Sequence, residues 1–100
     1  MLKHIVMWKL KDNAEGNTNI KNALFMKEML ETLKDVIPEI EMIEVGLNVN
    51  SSAAAYDVVL YSEFKDEEAL KTYQDHPEHL KVAEFVGKIN EDRVVVDYLV

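Results

Sequence analysis

The chain has 100 residues, 48 % hydrophobic and 30 % charged, with three Gly and two Pro. That suits one ordered domain over residues 1–100 with a modest core, and leaves no room for a second. Eleven basic against nineteen acidic residues give a formal net charge of −8, which repels nucleic-acid phosphates and anionic lipid and argues against both as partners. The absence of Cys excludes disulfides, a thiol nucleophile and thiolate metal sites, and a cytoplasmic location is expected. The apolar run Ile5 to Trp8 is too short for a signal sequence, Lys9 and Lys11 follow it, and no stretch approaches bilayer-spanning length, so no membrane partner is expected.

Residues Lys3 to Leu10 are rich in β-branched and aromatic types and read as a first strand, followed by a polar loop from Lys11 to Asn17. From about Thr18 to Ile37, residues Ile20, Leu24, Met26, Met29, Leu30, Leu33, Val36 and Ile37 recur at three- and four-residue spacings. This spacing predicts a long amphipathic helix that ends before Pro38. Over Ile40 to Val49 the apolar alternation slips phase between Met42 and Ile43, which requires a bulge or a strand that begins near Ile43. Asn48 to Ala55 forms a polar connection to a third strand, Tyr56 to Phe64, with Tyr56, Val58, Leu60 and Phe64 on one face. Asp66 is the expected cap of a second helix whose first turn holds Glu67 and Glu68. That helix is interrupted near His76-Pro77 and resumes through Leu80, Ala83, Val86 and Ile89, before a Val-rich last strand from Arg93 to Val100.

This order, β-α-β-β-α-β, predicts an α+β ferredoxin-like fold with a four-stranded antiparallel sheet and both helices on one face. The other face then needs cover, because the first strand is apolar on both sides: Val6 and Trp8 on one, Ile5 and Met7 on the other. The last strand likewise opposes Val94, Val96 and Tyr98 to Val95 and Leu99. Such a patch exceeds what monomers usually expose. A homodimer, sheet against sheet, is expected, with Met7 and Val95 between the copies.

The segment Tyr73-Gln74-Asp75-His76-Pro77-Glu78-His79 gathers a phenol and two imidazoles at the helix interruption. Pro77 suits the first position of a new helix, so His79 would sit in a first turn, where backbone amides lower an imidazole pKa toward a neutral, base-competent form. Tyr73 would be a neighbouring hydrogen-bond donor. The plainer alternatives are a histidine hydrogen-bonded at a helix end and a core ring with a wet hydroxyl. His4, Val6 and Trp8 share a strand face, as do Val58 and Leu60 on the next strand, giving an apolar wall that ends in a polar group, the make-up of a small-molecule pocket. His76 and His79 are too few for catalytic zinc, and Pro77 breaks the helix that would align them, so no metal is expected. With no phosphate loop, dinucleotide fingerprint or nucleophile elbow, no cofactor is expected either.

Taken together, His4-x-Val6-x-Trp8, the helix ending at Pro38, Tyr56 to Leu60, Phe64, Tyr73-x-x-His76-Pro77-x-His79 and Val96-Asp97-Tyr98 resemble the stress-responsive A/B-barrel (Dabb) domain over nearly the whole chain. The resemblance implies a ferredoxin-like fold paired into a dimeric α+β barrel. In a plant polyketide cyclase of that family the histidine matching His79 is the base, the tyrosine matching Tyr73 assists it, and the histidine matching His4 enters the pocket. Another pocket histidine of that enzyme is replaced here by Val58, so its substrate does not carry over. The expected function is binding of a small, largely apolar, carbonyl-bearing molecule. His79 would be the candidate base, Tyr73 the donor and His4 a supporting polar group, within a pocket of Val6, Trp8, Val58 and Leu60. Any turnover would begin with proton abstraction next to the carbonyl. The alternatives are a non-catalytic stress-associated binding module and a cofactor-independent monooxygenase, the latter by analogy of fold alone.

Overall fold

In a computed structural model that describes residues 1–100, the chain forms β1 (Leu2–Leu10), the short β2 (Asn13–Ala14) and β3 (Asn17–Thr18), and helix α1 (Asn19–Thr32). There follow β4 (Met42–Leu47), β5 (Val58–Phe64), α2 (Glu67–Asp75), α3 (Pro77–Ile89) and β6 (Asn90–Leu99). The four long strands make one antiparallel sheet in the order β4-β5-β1-β6, the ferredoxin-like arrangement. No helix is long and apolar enough to cross a membrane.

Register decides which side chains meet the helices. His4 lies opposite Ser62 and Asp97, Val6 opposite Leu60 and Val95, and Trp8 opposite Val58 and Arg93. The even-numbered residues of β1 are buried, and they line up through β5 with Ile43, Val45 and Leu47 of β4. Directly opposed residues share a face, so Val95 belongs to the helix-facing row. The sequence reading placed it with Met7 on the uncovered side. Met7 in fact pairs with Val94, and Ile5 with Val96. Alternation along β6 shows two apolar rows; only the pairing with β1 shows which row is which.

The helices are set by their ends. Thr18 caps α1 by accepting a hydrogen bond from the Lys21 amide, and Asp66 caps α2 by accepting from Ala69 at 2.9 Å, each worth ~1 kcal/mol. The α1 helix stops at Thr32, and a 3-10 turn, Leu33–Asp35, carries the chain toward Pro38. Its buried stripe runs through Asn22, Ala23, Met26, Leu30, Leu33 and Ile37, while Ile20 is 73 % exposed and Leu24 and Val36 are exposed too. The expected loop between β1 and α1 closes into the β2–β3 hairpin, with Glu15 at φ 50° and Gly16 at φ 77°, the positive values a tight two-residue hairpin turn requires. The buried Asn22 side chain donates to the Ala14 carbonyl at 3.0 Å and holds this hairpin to the helix. The phase slip in the second long strand needs no bulge, because the strand starts at Met42 and Ile40 is buried in the preceding turn.

Cover is uneven. At the β4 edge, Lys27 donates to the Val45 carbonyl at 2.6 Å and Glu31 accepts from the Val45 amide at 3.1 Å, while the two side chains pair at 2.9 Å. This i,i+4 pair occupies groups that another strand would otherwise seek. On β6, by contrast, every residue from Glu91 to Leu99 is exposed, on both faces.

Candidate functional site

Because β6 lies uncovered, a gap remains between it and α3, over the middle of β1. It encloses about 220 Å³ and is lined by His4, Val6 and Trp8 of β1, Leu30, Leu60, Tyr73, the α3 residues from His79 to Gly87 that face the sheet, and Asn90 and Arg93. Of the expected pocket residues, His4, Val6, Trp8, Leu60, Tyr73 and His79 therefore converge. Val58 is buried opposite Trp8 but does not line this cavity.

The local sequence explains the position of each polar group. At the helix interruption His76 is the N-cap of α3, its Nδ1 accepting from the Glu78 amide at 3.1 Å, with Pro77 in the first turn, where its missing amide costs nothing. His76 is thus held by the backbone and does not join His79; no group of three or more His, Cys, Asp or Glu side chains is placed to hold a metal ion. His79, in the first turn of α3, has its Nδ1 at 3.0 Å from the Gln74 carbonyl. A carbonyl only accepts, so Nδ1 carries the proton and Nε2 is left with a free lone pair in the neutral ring. Burial lowers the His79 pKa, with the Gln74 bond acting the other way and positive charge at His4, Arg93 and His76 adding to the drop. The sequence reading expected the same direction from the helix terminus; desolvation is the larger cause.

Tyr73 is fully buried in the last turn of α2, and its ring centre lies 4.5 Å from that of His79, 5.0 Å from Phe64 and 6.5 Å from His4. Its hydroxyl has no protein partner, and neither has the Trp8 indole N–H. Burial raises the Tyr73 pKa, against a small opposing pull from Arg93, so the phenol stays protonated and serves as a donor. An unpaired buried donor costs ~1–3 kcal/mol, and both of these belong to the cavity wall. His4 is buried too, with Nδ1 2.5 Å from the Asp97 carboxylate; a carboxylate only accepts, so Nδ1 is the donor.

Four features of the site escaped the sequence reading. Asp97 orients His4 and Arg93 faces the cavity, both because of the β1–β6 register. Asn90 caps the end of α3, its side chain donating to the Val86 carbonyl at 3.1 Å. Gly87 lies within α3 on the cavity rim, and a Cβ there would meet nothing within 4 Å. Glycine in a helix costs ~1 kcal/mol against alanine, so at Gly87 the gain is room in the cavity, not relief of a clash.

Comparison with known proteins agrees with this architecture. A stress-response A/B barrel domain-containing protein of Arabidopsis thaliana is 33 % identical over 100 residues, covering 99 % of this chain and 36 % of its own length. This chain spans less than half the length of the curated plant relatives it matches. Among solved structures, a dimeric protein of unknown function and ferredoxin-like fold from Bacteroides fragilis is 37 % identical with a TM-score of 0.81, over 97 % of this chain and 93 % of that one. A hydroxynitrile lyase from Passiflora edulis has a TM-score of 0.83 over 99 % of this chain and 92 % of that one, but at 18 % identity it shares the fold alone. The model of the stress responsive A/B barrel domain matches residues 2–100, and the chain belongs to that family.

Proposed function

We propose that the cavity binds a small, largely apolar carbonyl compound and that His79 removes a proton from the carbon next to the carbonyl. The observation that carries this reading is the unpartnered, buried Tyr73 hydroxyl, on a ring 4.5 Å from that of His79, on a wall that also holds the open Nε2 of His79. A carbonyl oxygen satisfies such a donor. As the C–H bond breaks, its proton goes to His79 Nε2 and its electron pair moves onto the oxygen, where a donor already in place stabilises the enolate. His4, held by Asp97, supports the polar end of the cavity. The domain spans residues 1–100 in this reading and works in the cytoplasm.

The same reading makes the protein a homodimer that packs sheet against sheet. Two observations support it: the exposed apolar row of Met7, Val94, Val96 and Tyr98 on the face without helices, and the dimeric state of the Bacteroides relative.

Proton abstraction is measurable without the physiological substrate, as deuterium uptake next to the carbonyl of simple aryl ketones and diketones in heavy water. His79→Ala should slow protein-catalysed exchange by about a hundredfold, the usual contribution of a positioned base, and Tyr73→Phe by less. Full exchange in a folded His79→Ala protein would sink the mechanism. Binding without exchange in the wild type would leave a binding module in its place.

A further inference from the structure

Arg93 is the only arginine in a chain with nineteen carboxylates, and it makes no ion pair, whereas Lys3, Lys27, Lys71, Lys81 and Lys88 all do. A guanidinium is always charged and presents a planar fork of donors that matches a carboxylate. Of the acids near it along β6, Asp92 and Asp97 are already engaged, and Glu91 does not line the cavity. Asp92 accepts from the Tyr56 hydroxyl at 2.9 Å and from the Arg93 amide, and Asp97 holds His4. Register then turns the Arg93 side of β6 toward the helices, opposite Trp8, where the arginine lines the cavity. No Asp or Glu lines that cavity. A chain of net charge −8 thus keeps this cavity free of carboxylates and supplies it with an unpaired cation.

We infer that the ligand is an organic anion, a carbonyl compound with a carboxylate several bonds away that pairs with the Arg93 guanidinium. The inference rests on the reading of the cavity as a carbonyl site and names the class of compound that fits it. Spacing narrows the class further. Arg93 is level with Trp8 and the other end of the cavity with His4, four residues along β1, or roughly 13 Å at 3.3 Å per residue. An arginine side chain covers only part of that span. A carboxylate set apart from the ketone by a ring or a short chain fits better than a 2-oxo acid, and the small rim residues Ala83 and Gly87 leave room for it.

Two matched pairs of probes test the charge alone: para-acetylbenzoate with para-acetylbenzamide, and levulinate with levulinamide. Titrated into the wild-type protein and followed by NMR at the His79 ring protons, each acid should bind about tenfold or more tighter than its amide. Arg93→Gln should abolish that preference while amide affinities stay within about twofold, and Arg93→Lys should retain part of it. If acid and amide bind the wild type equally, or if Arg93→Gln keeps the preference, the inference is wrong and the carbonyl-site reading survives. If Arg93→Gln halves the sedimenting mass and keeps the preference, the arginine serves a contact between copies, and the inference is again wrong. If no probe moves the His79 signals, the carbonyl-site reading fails and the inference falls with it.

Discussion

At one edge of the sheet, β4 lies under α1, and the Lys27–Glu31 pair takes up the outward amide and carbonyl of Val45. At the other edge, β6 carries Val94, Val95, Val96, Tyr98 and Leu99, all exposed, with no helix above them. Both edges are built from similar apolar residues, so composition does not separate them; placement of α1 and α3 does. The covered edge is where the fold is held. The bare edge is where the molecule keeps a cavity, an unpaired arginine and an exposed apolar face. Unpartnered polar groups in this fold collect where packing is left incomplete, as expected if binding sites are drawn from the less stable part of a structure.

The largest effect that sharpens this contrast belongs to the bare strand. Val96→Asp would put a carboxylate on the apolar row facing the second copy, where leaving it buried and unpaired costs about 3–5 kcal/mol. Sedimentation at micromolar concentration should fall from twice the chain mass to the chain mass. Ile20→Asp, a change at a residue just as exposed but on α1, should alter stability by no more than about 0.5 kcal/mol and leave the mass unchanged. If both variants remain dimeric, the second copy does not pack on this face.

The covered edge yields a smaller effect. Glu31 is held below the usual carboxylate range by its bond from Lys27, with the Val45 amide assisting against the cost of burial. Glu31→Gln removes the charge from both bonds and should cost about 1 kcal/mol in urea unfolding. The same variant should speed hydrogen exchange at the Val45 amide. Unchanged exchange there would mean that the pair does not seal the edge.

The contrast also marks what could be read from the sequence. Apolar alternation is a local property, and it located β1, β5 and both apolar rows of β6. The Tyr73 to His79 cluster was legible because Pro77 dictates a new helix start and so a first turn at His79. What failed depended on neighbours distant in sequence. Ile20, Leu24 and Val36 fit the helical period, yet the face of α1 that meets the sheet is centred on Ala23, Met26 and Leu30 and includes the polar Asn22. Val95 was assigned to the wrong face, and Arg93 went unnoticed, for one shared reason. The face of a β6 side chain is set by pairing with β1, which shifts register between Lys9 and Leu10, and a lone arginine on a strand belongs to no motif.

The smallest effect concerns the boundary between the two regions, where His79 is half-buried at the start of α3. Burial disfavours its charged form, so its folded pKa lies below the ordinary value of about 6.5 that it has in the unfolded chain. Between those two values the unfolded state binds more protons than the folded state, and stability rises with pH. Stability must therefore fall as the pH drops through the ordinary imidazole range. His79→Gln removes this site's titration while keeping a side chain able to donate to the Gln74 carbonyl. Urea midpoints of both proteins at pH 7.5 and 5.5 isolate the effect, because the two chains differ at this residue alone. The wild type should lose more stability between these pH values than the variant does. Equal losses would mean that His79 is as well hydrated as in the unfolded chain, and its neutral, base-competent form would then owe nothing to the cavity.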